Sequence, residues 1–106
     1  MSEGIKHDAG KLPMDLIPHE AIIALAAVLR HGEQTYGRNN WRKGMKWSRL
    51  IAACLRHLWA WIAGEEKDAE SGLPHLWHAL CCLAFLVAYR ETKIGDDDRW
   101  KRVENS

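Results

Sequence analysis

Residues 48–62 read Ser-Arg-Leu-Ile-Ala-Ala-Cys-Leu-Arg-His-Leu-Trp-Ala-Trp-Ile. The apolar residues of this stretch recur at intervals of three and four, which places them along one stripe of an α-helix. Ser48 is a suitable N-cap, and Gly64 weakens the helix just before an acidic run. The stripe consists of Leu50, Ile51, Cys54, Leu55, Leu58 and Ile62. Such a stripe requires other elements to cover it.

Two further helices are predicted, one on each side of this stretch. The run from His19 to about Tyr36 is apolar on nearly every face and rich in alanine, which favours a buried helix over a strand. Residues 75–92 follow a proline and carry a second apolar face. No alternating strand pattern occurs. We therefore expect an all-α protein, an antiparallel helical bundle of three main helices.

The whole chain, 1–106, is expected to form one domain, because domains typically contain about 100–200 residues. Residues 1–18 contain two glycines and two prolines and are predicted to form an irregular N-terminal arm. Residues 95–106 are polar, and we expect a frayed or disordered tail. Helices that are apolar all round need covering, so we expect the bundle to be completed by oligomerisation into a homodimer or homotetramer.

Composition restricts the classes of partner and the compartment. The 15 basic and 14 acidic residues nearly cancel, which argues against a nucleic-acid binder that neutralises phosphates. The N-terminus lacks the apolar core of a signal peptide, and no run is long enough to span a bilayer, so no membrane association is expected. The three cysteines lie in apolar runs, which favours reduced, buried thiols. A cytoplasmic protein is the expectation.

Acidic residues and histidines are concentrated between residues 65 and 78. Glu65 and Asp68 stand three apart, so a helical turn would put both carboxylates on one face. His75 and His78 repeat this spacing at the start of the third helix, and the short intervening turn implies that the two pairs face each other. Clustered carboxylates suit Mg²⁺ or Mn²⁺, and imidazoles favour Mn²⁺ or a softer ion. Glu66 and Glu70 lie within reach of the same place.

Other interpretations of this region remain open. An acidic helix end and loop can simply be solvated, but the histidines adjoin Trp77 and an apolar helix, which favours a metal site. The neighbouring Arg56-His57 pair is interpreted either as donors to groups around the metal or as surface residues.

Two other segments carry groups that suit a nucleotide. Lys6, Asp8 and Lys11 lie in the arm, and the start of the first helix is expected at the same end of the bundle as the acidic cluster. The lysines would then reach phosphate oxygens, unless the arm is solvated. In the loop at 37–47, Asn40 and Trp41, with Asn39 before them, offer amide groups and a stacking plane for a purine. Turn roles for the asparagines and core roles for the tryptophans are equally ordinary.

Taken together and in order, these motifs resemble a known family. They are Lys6-x-Asp8-x-Gly10-Lys11, Leu16-Ile17-Pro18, Tyr36-Gly37-x-x-Asn40-Trp41-Arg42-Lys43-Gly44, Arg56-His57 and Gly64-Glu65-x-x-Asp68-x-Glu70-x-Gly72-x-x-His75-Leu76-x-His78. The chain resembles short bacteriophage proteins classed as dATP/dGTP pyrophosphohydrolases, which are MazG-like and MazZ-like members of the all-α nucleoside triphosphate pyrophosphohydrolase group. The resemblance covers about residues 6–90.

The resemblance implies a helical oligomer that uses Mg²⁺ or Mn²⁺ to split a deoxypurine triphosphate, with dGTP as our hypothesis, into monophosphate and pyrophosphate. The sequence departs from the wider MazG pattern, which has Glu-x-x-Glu on one helix and Glu-x-x-Asp on the next. Glu65-x-x-Asp68 can stand for the first pair, but His75-x-x-His78 occupies the place of the second. Glu33 is placed outside the site, because it lies at the far end of the first helix.

The resulting assignment gives each candidate residue a role. The metal ligands are Glu65, Asp68 and Glu70; the residues that orient or deprotonate water are Glu66, His75 and His78; the substrate-binding residues are Lys6, Asp8, Lys11, Asn40 and Trp41. One alternative is another metal phosphohydrolase, which releases triphosphate or phosphate from deoxynucleotides. The second is a non-enzymatic helical interaction module.

Overall fold

The computed structural model describes residues 4–101. It contains three α-helices, α1 (His19–Tyr36), α2 (Trp47–Ile62) and α3 (His75–Thr92), with 3₁₀ turns at Met14–Leu16 and Asn40–Lys43. Within 4–101 there is no strand, only two isolated β-bridges. The predicted all-α class with three main helices is confirmed, and the predicted bounds of α1 and α3 agree with the structure. Helix α2 begins one residue before the predicted cap, with Lys46 in the N-cap position.

Helices α2 and α3 form the main packing unit. The Trp47 indole N–H donates to the Ile94 carbonyl (3.1 Å), and the Cys54 thiol lies 3.8 Å from the Ala79 carbonyl. Because later residues of α2 meet earlier residues around α3, the two helices run in opposite directions. Their buried cluster consists of Leu50, Cys54, Ala79, Cys82 and Tyr89. The fully buried Tyr89 donates its hydroxyl hydrogen to the Trp41 carbonyl, so its polar end is satisfied.

The three cysteines behave as the sequence predicts. Cys54, Cys81 and Cys82 are all free and buried. Burial raises the pKa of Cys81 to about 12 and that of Cys82 to about 11, and the neighbouring thiols add to this effect. These groups are therefore protonated packing residues at neutral pH.

The segment after α3 is ordered where the sequence predicted fraying. The Asp98 carboxylate accepts hydrogen bonds from the Ser48 backbone N–H (2.8 Å) and from its hydroxyl (2.5 Å). Gly95 has φ of 82°, and a Cβ there would lie 2.5 Å from the Met45 carbonyl oxygen. The close backbone approach and the Asp98 contacts fix residues 95–98 against the start of α2, so the prediction of a frayed tail is wrong for this part. Residues 102–106 lie outside the described range.

Helix α1 packs on α3 through few buried residues, chiefly Ala24 and Val28. The arm, residues 4–18, is exposed throughout. The radius of gyration is 17.8 Å, compared with about 13 Å for a compact domain of this length. None of the helices in the described part of the chain is long and apolar enough to cross a bilayer. Many large apolar side chains stay exposed, and the expected oligomer stays a prediction.

Candidate active site

The connection between α2 and α3, residues 63–74, carries most of the predicted site. Helix α2 ends at Ile62, and Gly64 adopts φ of 96°, a conformation that residues with a side chain rarely adopt. The chain then leaves the helix direction before the acidic run begins. The predicted helical turn that would align Glu65 with Asp68 is therefore wrong, since both residues lie in a loop.

Backbone hydrogen bonds fold this loop onto the first turn of α3. The Asp68 N–H donates to the Leu73 carbonyl (2.9 Å), and the His75 N–H donates to the Glu66 carbonyl (2.9 Å). Asp68 is thereby held close to the histidines, although the helical spacing that suggested this proximity is absent.

Four histidines from all three helices meet beside the loop. The Nδ1 atoms of His57 and His75 lie 2.8 Å apart. The rings of His57 and His78 stack, with centroids 4.7 Å apart and planes inclined by 15°. His31 of α1 approaches His78 edge-on, at 6.5 Å between centroids. This group joins the three helices at one point of the molecule.

His57, Asp68 and His75 each present one ligand atom, and these atoms lie within 4.8 Å of one another. Two imidazoles and a carboxylate fit a divalent ion such as Mn²⁺ better than Mg²⁺, which prefers oxygen ligands. Asp68 is held in place because the Ser71 N–H donates to its Oδ2 atom (2.9 Å). These three residues could hold a metal ion.

One ring nitrogen of His75 forms no hydrogen bond. The residue is only 6% exposed, and its buried Nε2 has no hydrogen-bond partner. The nearest carboxylate oxygen is Glu65 Oε2 at 3.5 Å, which is an ion-pair distance without hydrogen-bond geometry. A buried polar atom without a partner is uncommon and needs an explanation, and a ligand would provide one.

Burial and neighbouring charges set the protonation of the group. Burial lowers the pKa of both His57 and His78, and the charges of the other histidines lower it further, against the opposing effect of Asp68. For Asp68 itself, burial raises the pKa, but the hydrogen bonds from Ser71 and the nearby histidines outweigh it, so the net pKa is lowered. At neutral pH the site thus holds the ionised Asp68 carboxylate beside the neutral imidazoles of His57 and His78, which can accept a proton or bind a metal.

A second hydrogen-bonded pair lies next to this cluster. Ser71 Oγ and His78 Nε2 are 2.6 Å apart, and the Leu73 N–H donates to the same Ser71 oxygen (3.1 Å). The loop therefore fixes the orientation of the His78 ring.

A large open cavity of about 1180 Å³ extends from this cluster to the 37–45 loop. Its walls include His57, His78, Asp68 and Glu70 at one end and the loop with Asn40 at the other. Of the predicted residues, the structure brings Asp68, Glu70, His78, Asn40 and Trp41 to one cavity. His75 lies behind its wall, in contact with His57.

Trp41 lines the cavity, but its ring is already engaged within the protomer. Phe85 stacks on it at 4.5 Å between centroids, and the Arg42 guanidinium lies over it at 4.4 Å. The core role that the sequence left open for this tryptophan therefore applies, and the predicted stacking plane is largely occupied.

Other predicted residues lie away from the cavity. The Glu66 side chain is exposed, and only its backbone carbonyl contacts His75. His31 contacts His78, and it lies about 18 Å along α1 from the start of the helix at 1.5 Å per residue. The start of α1 therefore does not lie at the site, and the prediction that it lies at the same end of the bundle as the acidic cluster is wrong. Lys6, Asp8 and Lys11 do not line the cavity in the described monomer.

The sequence also misplaced or missed several residues. Glu33, which was placed outside the site, lines the same cavity, because the C-terminal half of α1 reaches it. His57 entered the prediction only through the Arg56-His57 pair, and its contact with His75 became visible once α2 and α3 were paired. Ser71 and His31 gave no signal in the sequence.

The chain matches the family model described as dATP/dGTP diphosphohydrolase, N-terminal, over residues 1–99. It is 41% identical over 98 residues to a protein of Salmonella phage PMBT28 named dATP/dGTP diphosphohydrolase. That alignment covers 92% of this chain but 33% of the phage protein, so the chain spans about a third of that relative's length. No solved structure shows significant similarity to the chain. The chain therefore belongs to the dATP/dGTP diphosphohydrolase N-terminal family, as its motifs predicted.

Proposed function

We propose that the chain is a metal-dependent nucleoside triphosphate pyrophosphohydrolase that converts a deoxypurine triphosphate, with dGTP preferred, into monophosphate and pyrophosphate. Membership of the family supports the class of reaction, because the phage relative carries the name of a diphosphohydrolase of dATP and dGTP. We further propose that it acts in the cytoplasm of an infected host.

One observation carries the proposal for this chain. Ligand atoms of His57, Asp68 and His75 converge within 4.8 Å, and His57 and Asp68 also line a cavity of about 1180 Å³. Pockets for small ligands usually measure about 300–1,000 Å³, so the cavity can admit a nucleotide. The unused Nε2 of His75 and the ionised Asp68 fit a bound divalent ion, which Glu65 beside His75 and Glu70 on the cavity wall could also bind.

The bound ion would neutralise charge on the phosphates and make water more acidic. Asp68, fixed by Ser71, would hold its carboxylate toward the ion without reorganisation. Water then attacks the α-phosphorus, the bond from this phosphorus to the bridging oxygen breaks, and pyrophosphate leaves with that oxygen. His78 is the best placed of the three predicted catalytic residues to take the water proton, since it lines the cavity and is neutral at pH 7.

Base selection is proposed for the loop at the other end of the cavity. The Asn40 amide can match the donor and acceptor edge of guanine in one orientation, and adenine would leave groups unpaired. Since Trp41 is engaged by Phe85, its contribution would come from the exposed part of the ring. The arm lysines Lys6 and Lys11 remain candidates for phosphate contact only if the arm moves or belongs to a neighbouring copy.

The candidate metal ligands also fit a second function. Histidine and aspartate ligands are those of metal phosphohydrolases that release triphosphate or phosphate, and the cluster of His57, His75 and Asp68 has this composition. The same cluster would then direct water at a different phosphorus–oxygen bond.

A panel of dGTP, dATP, dCTP and dTTP, assayed with Mg²⁺ and with Mn²⁺, tests the proposal. We expect the purine substrates to be turned over, dGTP fastest, with pyrophosphate and monophosphate in equal amounts. Deoxynucleoside plus triphosphate would support the second candidate. No turnover, with no thermal stabilisation by either metal, would indicate the interaction module instead.

A further inference from the structure

The N-terminal two-thirds of α2 borders the cavity, with Ser48 and Leu50 at its start. One face of this part of the helix carries the other lining residues, which are Arg49, Ala52, Ala53, Arg56 and His57. Their spacing of three, four, seven and eight residues is that of a single helix face. Two arginines thus lie about 10 Å apart along the axis, with two small alanines between them and His57 of the cluster at one end.

These two arginines differ from the other two arginines on the cavity wall. Arg38 is paired with Glu33 at 3.5 Å, and Arg42 is engaged with Asn39 at 3.3 Å. Within residues 4–101, no carboxylate forms an ion pair with Arg49 or Arg56. Two guanidinium groups therefore flank an open strip of helix without an internal counter-ion.

We propose that Arg49 and Arg56 bind the phosphate groups of a polyphosphate ligand laid along this face of α2. A guanidinium offers a planar fork of donors that matches phosphate oxygens, and the alanines between the two arginines leave room for the chain of phosphates. His57 then presents one end of the polyphosphate to the cluster with Asp68 and His75. The identity of the ligand as a nucleoside triphosphate rests on the proposed function.

This assignment puts the phosphate contacts in the rigid core and not in the arm. Lys6 and Lys11 lie in an exposed segment that does not line the cavity. Arg49 and Arg56 lie on α2, which the buried Leu50 and Cys54 anchor in the core. A contact made by a rigid element loses less conformational entropy on binding than one made by a mobile segment.

Binding of inorganic tripolyphosphate tests the proposal without a base, a sugar or a metal ion. Titration calorimetry of the full chain at constant ionic strength, with divalent ions removed by a chelator, would compare Arg49→Gln and Arg56→Gln with Arg30→Gln. Arg30 is an exposed arginine of α1 that does not line the cavity, so it serves as the matched control. We expect each of the first two changes to weaken binding by about tenfold or more, and the control to have no effect.

Absence of tripolyphosphate binding by the unaltered chain would overturn the proposal, as would equal affinities in all three variants. Nucleotide turnover decides the proposed function separately. If the chain binds tripolyphosphate through these arginines but does not hydrolyse nucleotides, the phosphate site stands and the proposed function fails. If the chain hydrolyses dGTP and both arginine variants keep the same KM, the proposed function stands and the phosphate site fails.

Discussion

At the scale of single residues, the site depends on how a few polar groups are held. Asp68 is oriented by Ser71, His78 shares a hydrogen bond with the same serine, and His75 keeps one buried nitrogen free. The sequence identified Asp68, His75 and His78 because they are clustered along the chain. It could not identify the contribution of His57, since its partner His75 is eighteen positions away and meets it only through helix packing.

Asp68→Asn should remove at least about 99% of the proposed hydrolytic activity, because it removes the charge proposed to bind the metal and with it several kcal/mol of charge stabilisation. The amide preserves the size of the side chain, so the helical fold should remain. Initial rates with dGTP and circular dichroism measure the two effects. The control is Glu20→Gln, an exposed carboxylate in the first turn of α1. Activity of Asp68→Asn close to that of the control would refute the role of Asp68.

The cysteines give a second prediction at this scale. The thiolate is the reactive form, and burial holds the pKa of Cys81 at about 12 and of Cys82 at about 11. At pH 8 we therefore expect a disulfide-exchange reagent to label the native protein slowly and to label three thiols rapidly after denaturation. Rapid labelling of the native chain would contradict the buried packing of α2 against α3.

At the scale of the elements, periodicity and caps predicted the helices well. The bounds of α1 and α3 follow from proline before each helix and from their apolar runs. The 63–74 connection was predicted less well, because its form depends on the left-handed Gly64 and on backbone pairing that the spacing of acids does not encode. The order of residues 95–98 also depends on their long-range contact with the start of α2. The polar composition of the segment does not reveal this contact.

Gly95→Ala should destabilise the protein by about 1–3 kcal/mol, since a Cβ would collide with the Met45 carbonyl and φ is left-handed there. Gly32→Ala is the matched comparison: no atom lies near the added Cβ, and the position is helical. We expect that change to stabilise the protein by about 0.5–1 kcal/mol. Urea unfolding monitored by tryptophan fluorescence gives both values. Equal stability of the two variants would mean that residues 95–98 do not pack on the start of α2.

At the scale of the whole molecule, a single copy leaves much apolar surface uncovered. Leu55, Trp59 and Ile62 follow one face of α2 and are all exposed, with Trp59 at 73%. Neither the arm nor α1 covers them in the described chain, and the expanded radius of gyration agrees with an open arrangement. The sequence predicted this surplus from helices that are apolar all round, but a single chain cannot test which surfaces pair.

We expect light scattering at micromolar concentration to report a homodimer or homotetramer. Trp59→Glu places a charge in the exposed apolar face and should shift the assembly toward smaller species. Trp100→Glu is its control, because Trp100 is also exposed but lies beyond α3. A monomer for the unaltered chain, or the same shift in both variants, would argue against assembly through α2.

The proposed reaction is attack of water on the α-phosphorus of a deoxypurine triphosphate, with pyrophosphate as the leaving group. Hydrolysis of dGTP in water enriched in ¹⁸O, followed by mass spectrometry of the products, identifies the bond that breaks. We expect one labelled oxygen in dGMP and none in pyrophosphate, with formation of both lost in Asp68→Asn. Label in pyrophosphate, phosphate or triphosphate, or the absence of turnover, would contradict it.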